Sequence, residues 1–288
     1  MARARLVAVA ALALLGGCKS ASRPSPARDG QCWRDQLIFF SDGSDHAVLV
    51  FGVHRSAAEV EVKGWLGAEG RWRALLYESA PLDRLHAPSL EESVADFAER
   101  PHHAPLRLDL ARRGATVVAH LRTTTTALAL ESDALAPVWE TRDPEGAVRW
   151  SAGPAELTLD GRVATGTLLA EETAPDRPLR AEADYGDFAM VAARLAGGAL
   201  VVGKTSRDAP AFDHLARIAD GHAAPLTGPL SVGADGVRIA LPDPVALPIL
   251  DRAASDGVSS AGLARRYEAL LVGGPAGSGV AFRIAPTR

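Results

Sequence analysis

Carboxylates that interrupt apolar strands are the residues best suited to acid–base chemistry in this chain. Glu171 and Glu172 follow the run Thr167-Leu168-Leu169-Ala170, and Glu268 sits inside the apolar stretch from Tyr267 to Val272. A carboxylate withdrawn from water into a barrel has its pKa raised and becomes a general acid, able to protonate a double bond or a leaving group. The plain alternative is that each faces solvent or pairs with arginine, of which the chain has 28 against three lysines. Glu171, Glu172 and Glu268 are the catalytic candidates.

Other motifs resolve into structure. Gly198-Ala-Leu-Val-Val-Gly203-Lys204-Thr205 has phosphate-loop spacing, but its variable residues are strand-like and Pro210 arrives where a long helix should follow. A glycine hairpin opening a strand explains it better, so no nucleotide is expected. Histidines 46, 54, 86, 102, 103, 120, 214 and 222 include no pair at helical metal-binding spacing, and neither metal nor cofactor is expected. There is no Gly-x-Ser-x-Gly elbow, and Ser278 in Ala-Gly-Ser-Gly-Val reads as a hairpin turn. With 31 basic against 35 acidic residues, the chain carries no footprint for nucleic acid.

The elements that must position these residues read as antiparallel strands. Short apolar or alternating runs recur from Gln36 onward, for example Leu37 to Phe40, Val48 to Val53, Leu106 to Leu110, Phe188 to Leu195 and Val280 to Ile284. Asp-Gly pairs start at 42, 160, 220, 235 and 256, and this dipeptide supplies the positive φ angles of tight hairpins. One helix is expected, with Ser89 and Glu92 at capping-box spacing, Leu90, Val94, Phe97 and Ala98 on one face, and Pro101 as its end. All five tryptophans lie between residues 33 and 150. Trp65, Trp72, Trp139 and Trp150 read first as core, with Trp65 or Trp72 the candidate wall of an apolar ligand cavity.

The N-terminus carries an address. Arg3 and Arg5 precede an apolar run from Leu6 to Leu15, too short to span a bilayer and of the right length for a signal peptide. Leu15-Gly16-Gly17-Cys18 resembles the bacterial lipobox, which implies cleavage of residues 1–17 and acylation of Cys18. Lys19 after the cysteine favours the outer membrane by the usual Gram-negative sorting rule. Residues 18–33 then form the acylated cysteine and a flexible tether, with Cys32 a second thiol.

Three segments in order resemble the family of carotenoid hydratases (hydroxyneurosporene synthases) and the related AttH-type proteins. They are GPAELTLDGRVATGTLLAE from Gly153, DYGDFAMVAARLAGGALVVGKTSR from Asp184, and RYEALLVGGPAGSGVAF from Arg266. The resemblance implies an all-β fold of two lipocalin-like antiparallel β-barrels with one short helix, the first barrel over 34–178 and the second over 179–288. It also makes Tyr185, Phe188 and Tyr267 candidate ligand-binding residues beside Trp65 and Trp72. Where the family has a Trp, Asp, Glu, Trp cluster, this chain has Leu168, Leu169, Ala170, Glu171 and Glu172, so binding is expected to outlast chemistry.

The leading expectation is an outer-membrane lipoprotein that binds or presents a hydrophobic small molecule. The alternatives are a hydratase, isomerase or hydrolase using Glu171 or Glu172, and a structural lipoprotein whose barrels are filled by side chains. Protein partners stay open.

Overall fold

A computed structural model describes residues 33–42, 48–55, 59–81, 85–89, 92–96, 107–122, 127–144, 146–175, 187–258 and 264–286. Cys18, the leader before it and Tyr185 lie outside the described residues. The first sheet contains β1 (Trp33–Ser41), β2 (Val48–Arg55), β3 (Glu59–Ala68), β4 (Arg71–Pro81), β5 (Leu85–Ser89) and β6 (Glu92–Asp96). It continues with β7 (Arg107–Arg113), β8 (Thr116–Arg122), β9 (Ala127–Ser132), β10 (Ala136–Asp143), β11 (Gly146–Leu159) and β12 (Arg162–Pro175). The strand order is β4-β3-β2-β1-β12-β11-β9-β8-β7-β6-β5, every neighbouring pair antiparallel. β10 pairs the first half of β11, while β9 pairs its last four residues.

The second sheet is built from β13 (Phe188–Leu195), β14 (Leu200–Ser206), β15 (His214–Ala219), β16 (His222–Pro225) and β17 (Leu230–Val232). Its remaining strands are β18 (Gly236–Ile239), β19 (Val245–Val258), β20 (Ala264–Gly274) and β21 (Gly277–Pro286). Their order is β16-β15-β14-β13-β21-β20-β19-β18-β17, again antiparallel throughout. The all-β expectation therefore holds, and the chain folds as two curled sheets in sequence.

Turn chemistry explains much of this connectivity. Asp160-Gly161 joins β11 to β12 and Asp220-Gly221 joins β15 to β16, with φ of 50° and 80° in the first and 52° and 75° in the second. Two successive positive φ values give a turn whose twist matches that of the flanking strands. Asp256-Gly257 behaves differently and lies inside β19, where Asp256 opposes Arg266 and Gly257 opposes Arg265. Ser278 likewise stands in β21 opposite Gly273, one step past the turn at Pro275-Ala276.

The expected helix is also corrected. Glu92–Asp96 is a strand, with Ser89 the cross-strand partner of Glu92 and not its helical cap. Pairing with β7, from Glu92 opposite Ala111 to Asp96 opposite Arg107, satisfies the backbone of this segment and overrides its local helical pattern. Among the described residues the helical element is a single 3-10 turn, Pro210–Phe212.

Alternation along the strands sorts side chains onto two faces. One core lies between the sheets and combines Ile38, Phe40, Trp150 and Leu169 from the first with Phe188, Met190, Val202 and Phe282 from the second. Full burial of each large side chain there contributes about 1.5–3 kcal/mol. The other face of the second sheet closes on itself, with Val191, Val201, Leu215, Leu230, Val237 and Leu270 in one cluster. Gly166 shows how closely the first sheet's central strands approach, since a Cβ there would lie 2.1 Å from the Phe40 carbonyl oxygen.

Candidate functional site

Because adjacent strand residues point to opposite faces, Glu171 and Glu172 are separated by the sheet that carries them. Glu171 faces the inter-sheet core in a cross-strand row of four: Gln36 on β1, Glu171 on β12, Trp150 on β11 and Trp139 on β10. A row from the second sheet stands opposite, with Lys204 on β14 beside His214 on β15. The rows meet pairwise. Lys204 Nζ lies 2.6 Å from Glu171 Oε1, and the Trp139 ring meets the His214 ring edge-on at a centroid distance of 5.4 Å.

This polar cluster is dry. The Lys204 and Glu171 side chains are each 1% exposed, and Asp143 Oδ2, 3.5 Å from Lys204 Nζ, belongs to a side chain with no exposure. Asp143 is held by the Gly146 N–H, which donates to its Oδ1 at 3.2 Å. Thr173 donates to Glu171 Oε1 at 3.4 Å. One ammonium therefore faces two carboxylates from the partner sheet, an arrangement that ties the halves together.

His214 adds no charge to it at neutral pH. Its side chain is half-buried, yet both ring nitrogens are shielded from solvent and make no hydrogen bond among the described residues. Burial, reinforced by Lys204, pushes its pKa down to about 4 against the opposing pull of Glu171, Asp143 and Asp213.

Glu172 faces the opposite way, into an open cavity of about 990 Å³. Apolar residues Ala115, Leu135, Pro137, Val138 and Trp139 form much of its wall. Across it runs a second cross-strand row, Glu172 on β12, Arg149 on β11 and Glu140 on β10. Arg149 reaches both carboxylates, with Nε 3.2 Å from Glu140 Oε2 and Nη1 3.9 Å from Glu172 Oε1. Glu172 is the deep member, 17% exposed, whereas Glu140 at 62% and Arg149 at 52% form the rim. Such an array offers a substrate an apolar bed, a carboxyl group for proton transfer and a guanidinium to orient it.

The other candidates lie elsewhere. Glu268 is 2% exposed and clamped by three arginines: Arg252 Nη1 at 3.0 Å, Arg266 Nε at 3.5 Å and Arg283 Nε at 2.7 Å. Trp65 and Trp72 stack edge-on at 6.1 Å in the inter-sheet core, so they do not wall the cavity. Trp72 also donates its backbone N–H to Asp251 Oδ2 of the second sheet at 2.8 Å. Phe188 is buried in the same core. Tyr267 opposes Ile284 within β20, and nothing is described of its side chain.

Gly198 to Thr205 forms the end of a hairpin and β14, as its strand-like residues suggest, and Lys204 there serves carboxylates. The residues that sequence reading missed are Asp143, Glu140, Arg149 and His214, while Trp139, one of the four tryptophans read as core or pocket lining, does line the cavity. The available signal was Lys204 itself, one of three lysines in the chain and set within the apolar run Leu200-Val201-Val202-Gly203. A cation so placed demands a buried anion.

No protein-family model matches the chain, and no curated protein does. Among solved structures, a protein assigned as an AttH from Nitrosomonas europaea aligns with a TM-score of 0.54 at 14% identity, covering 89% of this chain and 92% of that one. Kievitone hydratase from Nectria haematococca aligns with a TM-score of 0.49 at 6% identity, over 95% of this chain and 98% of its own. The first likeness shows a shared lipocalin-like all-β fold, and a fold does not carry chemistry with it.

Proposed function

We propose that this protein is a hydratase or double-bond isomerase of a hydrophobic substrate, with Glu172 as the acid–base group. The observation that carries the reading is Glu172, 17% exposed, on the wall of an open cavity of about 990 Å³ that joins apolar residues to Arg149 and Glu140. The AttH neighbour shares the lipocalin-like fold that frames this cavity.

The chemistry closes on the residues present. Glu172 in its acid form donates a proton to one carbon of a double bond, leaving a cation at the other. Water adds to that cation, and its surplus proton returns to Glu172, so water is gained and the carboxyl group is regenerated. Loss of a proton from a neighbouring carbon instead shifts the double bond, which is the isomerase branch. A carrier protein would need the same cavity but no carboxylate on its wall.

Substitution separates the two adjacent glutamates. Glu172→Gln should lower kcat about a hundredfold on a prenylated or polyene substrate while leaving KM nearly unchanged. Glu171→Gln should chiefly lower stability, because it disturbs the Lys204 cluster and not the cavity. Undiminished turnover in Glu172→Gln would overturn the assignment.

We also propose that acylated Cys18 holds this enzyme at the outer membrane, where its apolar substrate would be concentrated. The support is the order of charged, apolar and Leu-Gly-Gly-Cys segments in residues 1–18. Cys18→Ser should abolish metabolic labelling by a palmitate analogue and release the protein from membranes. Labelling that persists in the variant would exclude acylation at this cysteine.

A further inference from the structure

The inter-sheet core changes character along its strands. Where Trp139 and Trp150 oppose His214 and Lys204, the gap between the sheets is filled. At the next positions on the same face the tryptophans give way to Ala136 and Ala152, which are cross-strand partners. Across from them stand Leu200 and Ile218, partners that lie one pair beyond Val202 and Ala216 from Lys204 and His214. The alanines do not reach across, and a cleft of about 350 Å³ remains between the sheets. Pro154 and Thr167 add to its wall on the first sheet, and the Asp220-Gly221 turn to its wall on the second.

This cleft and the large cavity adjoin at one strand. Ala136 and Val138 of β10 line both spaces. β10 is bulged between Pro137 and Trp139 and pairs only with β11 among the described strands. The two spaces therefore lie on either side of a single irregular edge strand and not of a continuous sheet.

We propose that the cleft is a tail subsite, receiving the hydrocarbon arm of an elongated substrate whose reacting end lies in the large cavity. The inference rests on the hydratase reading for the chemistry at the head, but the binding of the arm stands independently of it. A hydrocarbon chain suits the apolar side of this open cleft, formed by Ala136, Ala152, Leu200 and Ile218, with Asp220 at its exposed edge. Compact polycyclic molecules would fill the large cavity alone.

A homologous series of unbranched terminal alkenes, competed against an apolar fluorescent probe on the full chain, reads this directly. Wild-type affinity should rise up to about fourfold per added methylene once the chain reaches the cleft. Ala152→Leu, at a position that lines the cleft and not the large cavity, should flatten that rise for the longer homologues and leave the shorter ones unchanged. Should this variant fail to fold, Thr167→Trp, also on the wall of the cleft alone, gives the same comparison. An equal rise in wild type and variant, or no rise in wild type, would overturn the tail subsite. Turnover is scored separately: a rise removed by the variant without turnover of any alkene keeps the subsite and removes the hydratase reading, and turnover with identical rises does the reverse.

Discussion

Lys204→Ala should destabilise the protein by about 3–5 kcal/mol, because it leaves Glu171 and Asp143 buried opposite an empty space. The magnitude follows from desolvation. A carboxylate with 1% or less exposure has lost its hydration, and the ammonium 2.6 Å from Glu171 is the charge that compensates it. Removal of both sides together is a different matter, since a buried ion pair replaced by apolar groups of similar volume is often neutral or stabilising. Lys204→Met combined with Glu171→Leu and Asp143→Leu should therefore recover most of the loss. Urea unfolding of the single and combined variants checks this, with a midpoint change at nearly constant m-value expected for Lys204→Ala. A loss under 1 kcal/mol for the single substitution would show that water reaches the cluster.

Acid should weaken the same junction through His214. Its pKa is lowered from the ordinary 6.5 to about 4, chiefly by burial, so the unfolded chain takes up a proton before the folded one does. The resulting stability is full above pH 6.5 and is lost as the pH falls toward and through about 4. The shift corresponds to about 3 kcal/mol, reduced to about 2 kcal/mol because part of the ring is open to solvent. Protonation would also set a second cation beside Lys204, against Trp139. His214→Phe keeps the ring contact and removes the titration. Its unfolding midpoint should fall less than that of wild type between pH 7 and pH 4.5, and an equal fall in both would assign acid sensitivity to other groups.

Much of the fold was legible because its signals are local. Alternation in Leu106 to Leu110 and the paired positive φ angles at Asp160-Gly161 and Asp220-Gly221 depend on neighbouring residues only. Residues 89–98 misled for the same reason, since a capping-box spacing says nothing of the β7 edge that captures Glu92–Asp96. Asp256-Gly257 misled likewise, being held extended by β20.

The site divided along a similar line. That Glu171 or Glu172 mattered could be read from carboxylates ending an apolar run, but which one faces a cavity depends on register. Trp150 opposite Glu171 and Arg149 opposite Glu172 fix the two faces, and that pairing spans about twenty residues. The Lys204 cluster depends on contacts between the two sheets, and no local pattern shows that His214 will stand against Trp139. Trp65 and Trp72 were visible as large apolar surface, while the surface they cover belongs to the second sheet.

The most direct measurement is oxygen-isotope transfer from labelled water into a hydrophobic alkene, followed by mass spectrometry of the alcohol formed by wild type and by folded Glu172→Gln. Our account predicts one labelled oxygen per product molecule with wild type and roughly a hundredfold less product with the variant. Labelled alcohol formed equally by both proteins would contradict it.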